Sequence, residues 1–268
     1  MLVEVQQHQG SLTIRRCREG RGRWYEVERP ERLSPSADWS LWDALAGQRL
    51  PGSTTITGLL SKDALPGWYG RVAVEAMAAV LQPSVGYWVD QPLLDRAVQI
   101  GLAEPERVRH EAAEYGTRAH ALIAQIIEGQ KPIIPPDMAA TIEAFEDWRN
   151  RTGWRWKLAE TLVASHTLRI GTQIDGIADA PWPDPSIAIV NWKTGNGIYA
   201  EAAIQAGAEW TAYGETFGVY PREAWVVRLG KTKPAFYARR VRAPDAQAGI
   251  FACLREVYDA QREEVWTK

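Results

Sequence analysis

Cysteine is scarce in this 268-residue chain: Cys17 and Cys253 are the two, and most of the sequence lies between them. Two such residues exclude a disulfide framework, a cysteine-ligated zinc site and an iron–sulfur cluster. A reducing cytoplasm is the setting this usage fits. Long apolar runs are missing too. None approaches the roughly 20 residues that cross a bilayer, so a membrane partner is not expected. The opening segment MLVEVQQHQG has no basic stretch leading into an apolar one, and the reading therefore contains no secretory signal. An excess of one charge is also absent, the formal net charge being −2. That balance neither demands nor forbids nucleic acid, because a local basic groove can sit beside an acidic metal site. There is no GxSxG nucleophile elbow and no HExxH zinc helix, which removes two large hydrolase classes.

With 46% hydrophobic residues, the chain has enough apolar mass for one well-formed core. Tryptophan is abundant at 13 residues. Most of these read as core filling, with one or two suited to stacking on bases.

Residues 2–29 alternate like short strands, LVEVQQ and SLTIRRC around an HQG turn, then RWYEV. Pro30–Gly52 reads as loop with one short helix near Trp39–Ala46. STTITGLLSKD at 53–63 predicts a helix with a Ser or Thr cap, and a further helix is expected over Gly67–Leu81. Pro105 in a first turn and Gly129 at a stop bound a helix over 105–129, followed by another over 136–151. WKLAETLVAS, LRIGTQIDGIADA and SIAIVNWKT then read as three antiparallel-looking strands. A helix over 200–217, a hairpin of AWVVRLG and AFYARRV around Lys231–Pro234, and a last helix over 244–264 complete the chain. This order predicts an α/β (α+β) fold, with a central mixed sheet flanked by helices. It divides into a small N-terminal β decoration at 1–52 and a main domain at 53–268.

Four features carry chemistry: GTRAH ending at His120, Glu160, GTQID ending at Asp175, and IVNWKTG containing Asn191 and Lys193. Two residues apart on a strand, Asn191 and Lys193 project to one face, and Trp192 points the other way toward a core. A hairpin between the strands ending in Asp175 and in Lys193 brings Asp175 beside position 191. Hard oxygen ligands converging with an ammonium suit metal-assisted phosphodiester hydrolysis. His120 adds a nitrogen ligand, which manganese accepts better than magnesium. The run Arg239–Arg240–Val241–Arg242 reads as a solvated strand end, or as a set of phosphate contacts.

In this order the motifs resemble the RecB-like phage exonuclease branch of the PD-(D/E)XK nuclease superfamily, over roughly residues 53–217. STTITGLLSKDALPGWYGRVAVEAMA resembles its helical opening segment, YGTRAHALI its histidine motif, GTQIDGIAD its first-acid motif, and IVNWKTG its IxDWKTG strand. The resemblance implies a restriction-endonuclease-like core. It also implies a metal, Mg2+ or Mn2+, held by His120, Asp175, position 191 and Thr194, with Glu160 as a further acid and Lys193 as the catalytic lysine. Gln205, Thr194, Tyr213 and Arg118 are the expected DNA contacts. The implied activity is exonucleolytic, on double- or single-stranded DNA ends, in phage recombination or repair within a bacterial host cell. A single-strand annealing protein and a homo-oligomer are the implied partners.

Two positions depart from the pattern. Position 191 is Asn where the family carries an acid, and position 209 is Glu where it carries tyrosine. A neutral Asn191 has three readings: an engineered inactive variant, a weaker natural site helped by Glu160, or a nuclease fold that only binds DNA. A structure-specific endonuclease is a further alternative. From the motif set alone, Asn191→Asp is expected to give equal or greater magnesium-dependent degradation of linear DNA, a result that a comparison of the two proteins checks.

Overall fold

The computed structural model describes residues 2–9, 12–19, 22–28, 39–60, 64–180 and 186–262. The fold is mixed α/β. It has a central five-stranded mixed sheet flanked by helices and a small N-terminal sheet, as the order of apolar patterns predicts.

The N-terminal sheet is an antiparallel meander of β1 (Leu2–Gln9), β2 (Leu12–Glu19) and β3 (Gly22–Glu28). Helix α1 (Trp39–Leu45) follows, then α2 (Ser53–Thr57). Apolar side chains of β2, β3 and α1 share one core with Leu162 and Ala164 of the main sheet. The N-terminal strands are thus packed into the same compact unit, which comprises Met1–Leu59 and Ala119–Lys268. Gly171 permits that packing: a Cβ there would sit 2.2 Å from Cβ of Tyr25. α2 is shorter than STTITGLLSKD predicts, and residues 61–63 of that segment lie outside the described ones. Its N-cap is Gly52, with no side-chain cap. The Ser53 hydroxyl is engaged elsewhere, 2.7 Å from Thr172 Oγ1.

Leu60–Arg118 forms a second unit, containing α3 (Ala64–Leu81) and the first part of α4 (Gln91–Ile127). The expected start of this helix at Pro105 is corrected: α4 begins fourteen residues earlier, and Pro105 lies inside it. The true cap is Asp90, whose carboxylate accepts the Leu93 N–H at 2.9 Å. A proline removes one backbone hydrogen bond, and the remaining ladder of a 37-residue helix carries on past it.

In the first unit, α5 (Ala139–Thr152) ends at Gly153, whose φ of 62° supplies a left-handed cap. The main sheet runs in the order β4 (Arg155–Ser165), β5 (Ile170–Ala180), β6 (Ser186–Lys193), β7 (Glu223–Leu229), β8 (Phe236–Arg240). Neighbours are antiparallel except β6 and β7, which are parallel and joined through α6 (Ala200–Phe217). Both faces of the sheet are covered, which is why β6 reads as a continuous apolar run. One face packs on α6 through Val163, Ile174, Ile177, Ile189, Ala206 and Val226. The other meets α5, where Phe145 and Trp148 lie against Trp156 and Trp192 with ring centroids 5.3 to 6.1 Å apart. Core filling is therefore what these tryptophans do. α7 (Pro244–Ala260) packs on α6 at Gly207, where a Cβ would lie 2.6 Å from the Ala248 nitrogen. Among the described residues, no helix is long and apolar enough to cross a membrane.

Candidate metal and phosphate site

The register of β5 against β6 decides the site. Gly176 pairs with Val190, so Asp175 stands at the level of position 191. Asp175 is a mid-strand residue, not the strand end that the sequence suggests. Its Oδ2 accepts the Trp192 backbone N–H at 2.8 Å, which fixes the carboxylate across the two strands. Across β4, Ala159 pairs with Gly176 and Thr161 with Ile174, which sets Glu160 level with Asp175. Near its C-terminal end, α4 brings His120 to the same place. His120 Nδ1 lies 3.3 Å from Asp175 Oδ1 and 3.6 Å from Glu160 Oε1.

Glu160 is held in a costly conformation, with φ at 48° in the middle of a strand. A left-handed L-residue costs roughly 1–2 kcal/mol. The twist takes its carbonyl out of the ladder, and side-chain amides of Gln7 and Gln173 donate to it at 2.9 and 3.1 Å. Gln173 Nε2 also donates to Glu160 Oε2 at 2.6 Å, and Arg16 donates to the other end of the Gln173 amide. The N-terminal sheet thus helps to hold Glu160 in place.

Charge is concentrated and mutually compensated. Burial works against a charged His120, but Asp175 and then Glu160 outweigh it, and the imidazole pKa is raised to about 10. Burial likewise opposes ionisation of Asp175. The His120 and Lys193 charges and the Trp192 N–H prevail and hold its pKa below the usual carboxylate value. The Asp175 carboxylate, 3.3 Å from Nδ1, thus favours the imidazolium form of His120.

Those three side chains also suit a divalent cation. The relevant nitrogen and oxygens of His120, Glu160 and Asp175 all lie within 4.8 Å of one another. Ligands bound at about 2.1–2.3 Å to a common ion stand at most about 4.5 Å apart, so a small closure completes the set. Two buried oxygens at the site have no hydrogen-bond donor, Glu160 Oε1 and Asn191 Oδ1. Leaving a buried acceptor unmet costs about 1–3 kcal/mol, and a hard cation meets that need. The residues fit a metal, and its binding at His120 would displace the proton on Nδ1.

Beside this cluster, β6 and α6 build a second polar group. Asn191 is 1% exposed and donates through Nδ2 to Glu209 Oε2. Gln205 Nε2 donates to Glu209 Oε1 at 2.7 Å, and Lys193 Nζ donates to Gln205 Oε1 at 3.2 Å. Burial and the Asp175 charge raise the Glu209 pKa to about 7, against the pull of Asn191, Lys193 and Gln205. Lys193 and Asn191 share the face of β6 that looks toward α6, and Trp192 takes the opposite face, as alternation on a strand requires.

The remaining expected contacts divide. Thr194 follows directly on β6 and is half-buried. Arg118 belongs to the Leu60–Arg118 unit, where its guanidinium lies 5.9 Å from the Tyr115 ring. Tyr213 is a correction. It is 6% exposed, its ring lies 4.5 Å from that of Phe217, and it belongs to the core between α6 and the sheet. One turn of helix beyond Glu209 turns the side chain along the packed face of α6. Arg239 and Arg240 lie exposed on β8. Glu209 and Ser53 are the members that motif reading missed. Glu209 stands four residues after Gln205, a spacing that puts both on one helix face, but nothing in the sequence shows that this face meets Asn191.

No protein-family model matches the chain, and no curated protein matches it. Among solved structures it is similar to an alkaline exonuclease from Laribacter hongkongensis, with 16% identity, coverage of 55% of this chain and 78% of that one, and a TM-score of 0.35. It is also similar to a protein named SSO0001, with 10% identity, coverage of 74% and 89%, and a TM-score of 0.30. At these TM-scores the likeness says nothing of activity.

Proposed function

We propose that this chain is a divalent-metal-dependent nuclease that hydrolyses phosphodiester bonds at DNA ends. One observation carries the reading. Residues far apart in sequence, His120, Glu160 and Asp175, offer one ligand atom each within 4.8 Å of one another, beside a lysine held on the neighbouring strand. The ordered motif set that resembles phage exonucleases supports the choice of DNA and of ends, in recombination or repair.

The roles follow from chemistry. His120, Glu160 and Asp175 would hold Mg2+ or Mn2+, with Asn191 Oδ1 as a neutral fourth ligand. When bound, the ion polarises the phosphate and acidifies a coordinated water. Asp175 stays ionised and is aimed by the Trp192 N–H. The Lys193 ammonium, anchored by Gln205 Oε1, orients the attacking water and offsets charge growing on phosphorus. Thr194, directly after β6, would steady the scissile strand through its backbone.

The test is incubation of end-labelled linear duplex and covalently closed circles with Mg2+ or Mn2+. The expected result is release of nucleotides from linear DNA only. Chelation should stop it, and Asp175→Ala should slow it about a thousandfold or more. Metal-dependent binding of DNA without cleavage would favour the alternative that the neutral Asn191 raises, a nuclease fold that binds only. Equal cutting of closed circles would favour an endonuclease. If neither hydrolysis nor Mn2+ binding occurs, the proposal fails.

A further inference from the structure

Glu209 departs from the family's tyrosine at its position, yet it sits where the orientations of its neighbours converge. Lys193 Nζ has only protons to give, so the oxygen of Gln205 faces it at 3.2 Å. That orientation turns Gln205 Nε2 onto Glu209 Oε1 at 2.7 Å. Asn191 Nδ2 donates to Glu209 Oε2, and Ser53 Oγ lies 3.5 Å from Oε1. Both carboxylate oxygens therefore face donors, and Glu209 is 0% exposed. Donors at both oxygens favour the carboxylate form, against the burial and the Asp175 charge that raise its pKa to about 7.

The consequence for Asn191 is directional. With its amide nitrogen committed to Glu209, Oδ1 is the other end, buried and without a donor. Donating a hydrogen bond to a carboxyl oxygen polarises the amide and leaves more negative charge on the amide oxygen. We propose that Glu209, on helix α6, supplies the buried acid that neutral Asn191 lacks on strand β6. It acts as a positioning residue, turning the Asn191 oxygen toward the metal site and fixing Lys193 through Gln205. This inference rests on the nuclease reading for the identity of the site.

An acid at position 191 and the acid at position 209 are then alternatives. Asn191→Asp would place two carboxylates in contact with each other, close to Asp175. That reverses the expectation from the motif alone. Moving the charge with Asn191→Asp/Glu209→Gln would restore one acid and one amide in hydrogen-bonding contact.

The experiment compares the full chain with Asn191→Asp, Glu209→Gln and the double variant. Thermal unfolding is read in chelator, and Mn2+ binding is read by the loss of the free-ion resonance signal. Asn191→Asp is expected to lower Tm in chelator by about 4 °C or more. Glu209→Gln is expected to weaken Mn2+ binding about tenfold to a hundredfold. The double variant is expected to recover most of both losses. The inference is overturned if Asn191→Asp unfolds no earlier than the wild type. It is also overturned if the double variant binds Mn2+ no better than Glu209→Gln. Should Glu209→Gln fail to fold, Asn191→Asp and the double variant decide the matter. A wild-type chain that takes up no Mn2+ overturns this inference and the nuclease reading together. Uptake by the wild type and equally by Glu209→Gln overturns this inference alone.

Discussion

On one face of β6 the Trp192 indole lies among Phe145, Trp148 and Trp156. On the other, Asn191 and Lys193 enter a chain of hydrogen bonds with Gln205 and Glu209. Both faces are buried, yet they depend on different properties. The aromatic side needs volume and contact, which many apolar sequences supply. The polar side needs each donor to meet one acceptor, because a buried group left unmet costs as much as several methylenes of core. The strand thus spends its apolar face on stability and its polar face on chemistry.

Removing the ring in Trp192→Ala should give the largest loss, about 3–5 kcal/mol of folding stability by urea denaturation. A loss below about 1 kcal/mol would show that the aromatic face is not the anchor of β6. Lys193→Ala, on the other face, should spare most of the stability. It should cost a hundredfold to a thousandfold in DNA hydrolysis, about 3–4 kcal/mol of barrier, with DNA retention on a gel little changed. Unchanged turnover would remove the lysine from the chemistry. Tyr213→Phe should matter least, below about 1 kcal/mol in stability and without effect on DNA affinity, because its ring lies in the core rather than against the strand. A marked fall in DNA affinity would contradict that placement.

The strands that carry the site were legible from β-branched composition and the turn breaks between them. So was the opposition of Trp192 to Asn191 and Lys193, since a strand has period two wherever it sits. The convergence of His120, Glu160 and Asp175 was legible only as an ordered motif set, because spacing along the chain does not measure distance across three strands and a helix. The length of α4 was misread at Pro105, where a residue suited to a first turn lies inside a long helix. Tyr213 was misplaced for a similar reason. Periodicity tells which residues share a helix face but not what that face meets.

By itself the amino-acid sequence determined the α/β order, the opposition of Trp192 to Asn191 and Lys193, and the kinds of chemical group the site would contain. Those follow from local periodicity and side-chain chemistry. Only the tertiary structure decided that an acid on α6 touches the amide on β6, that Glu160 adopts a left-handed conformation supported by Gln7, and that Tyr213 is core. Each is a contact between elements many residues apart, fixed by strand register and helix packing, which no local pattern encodes.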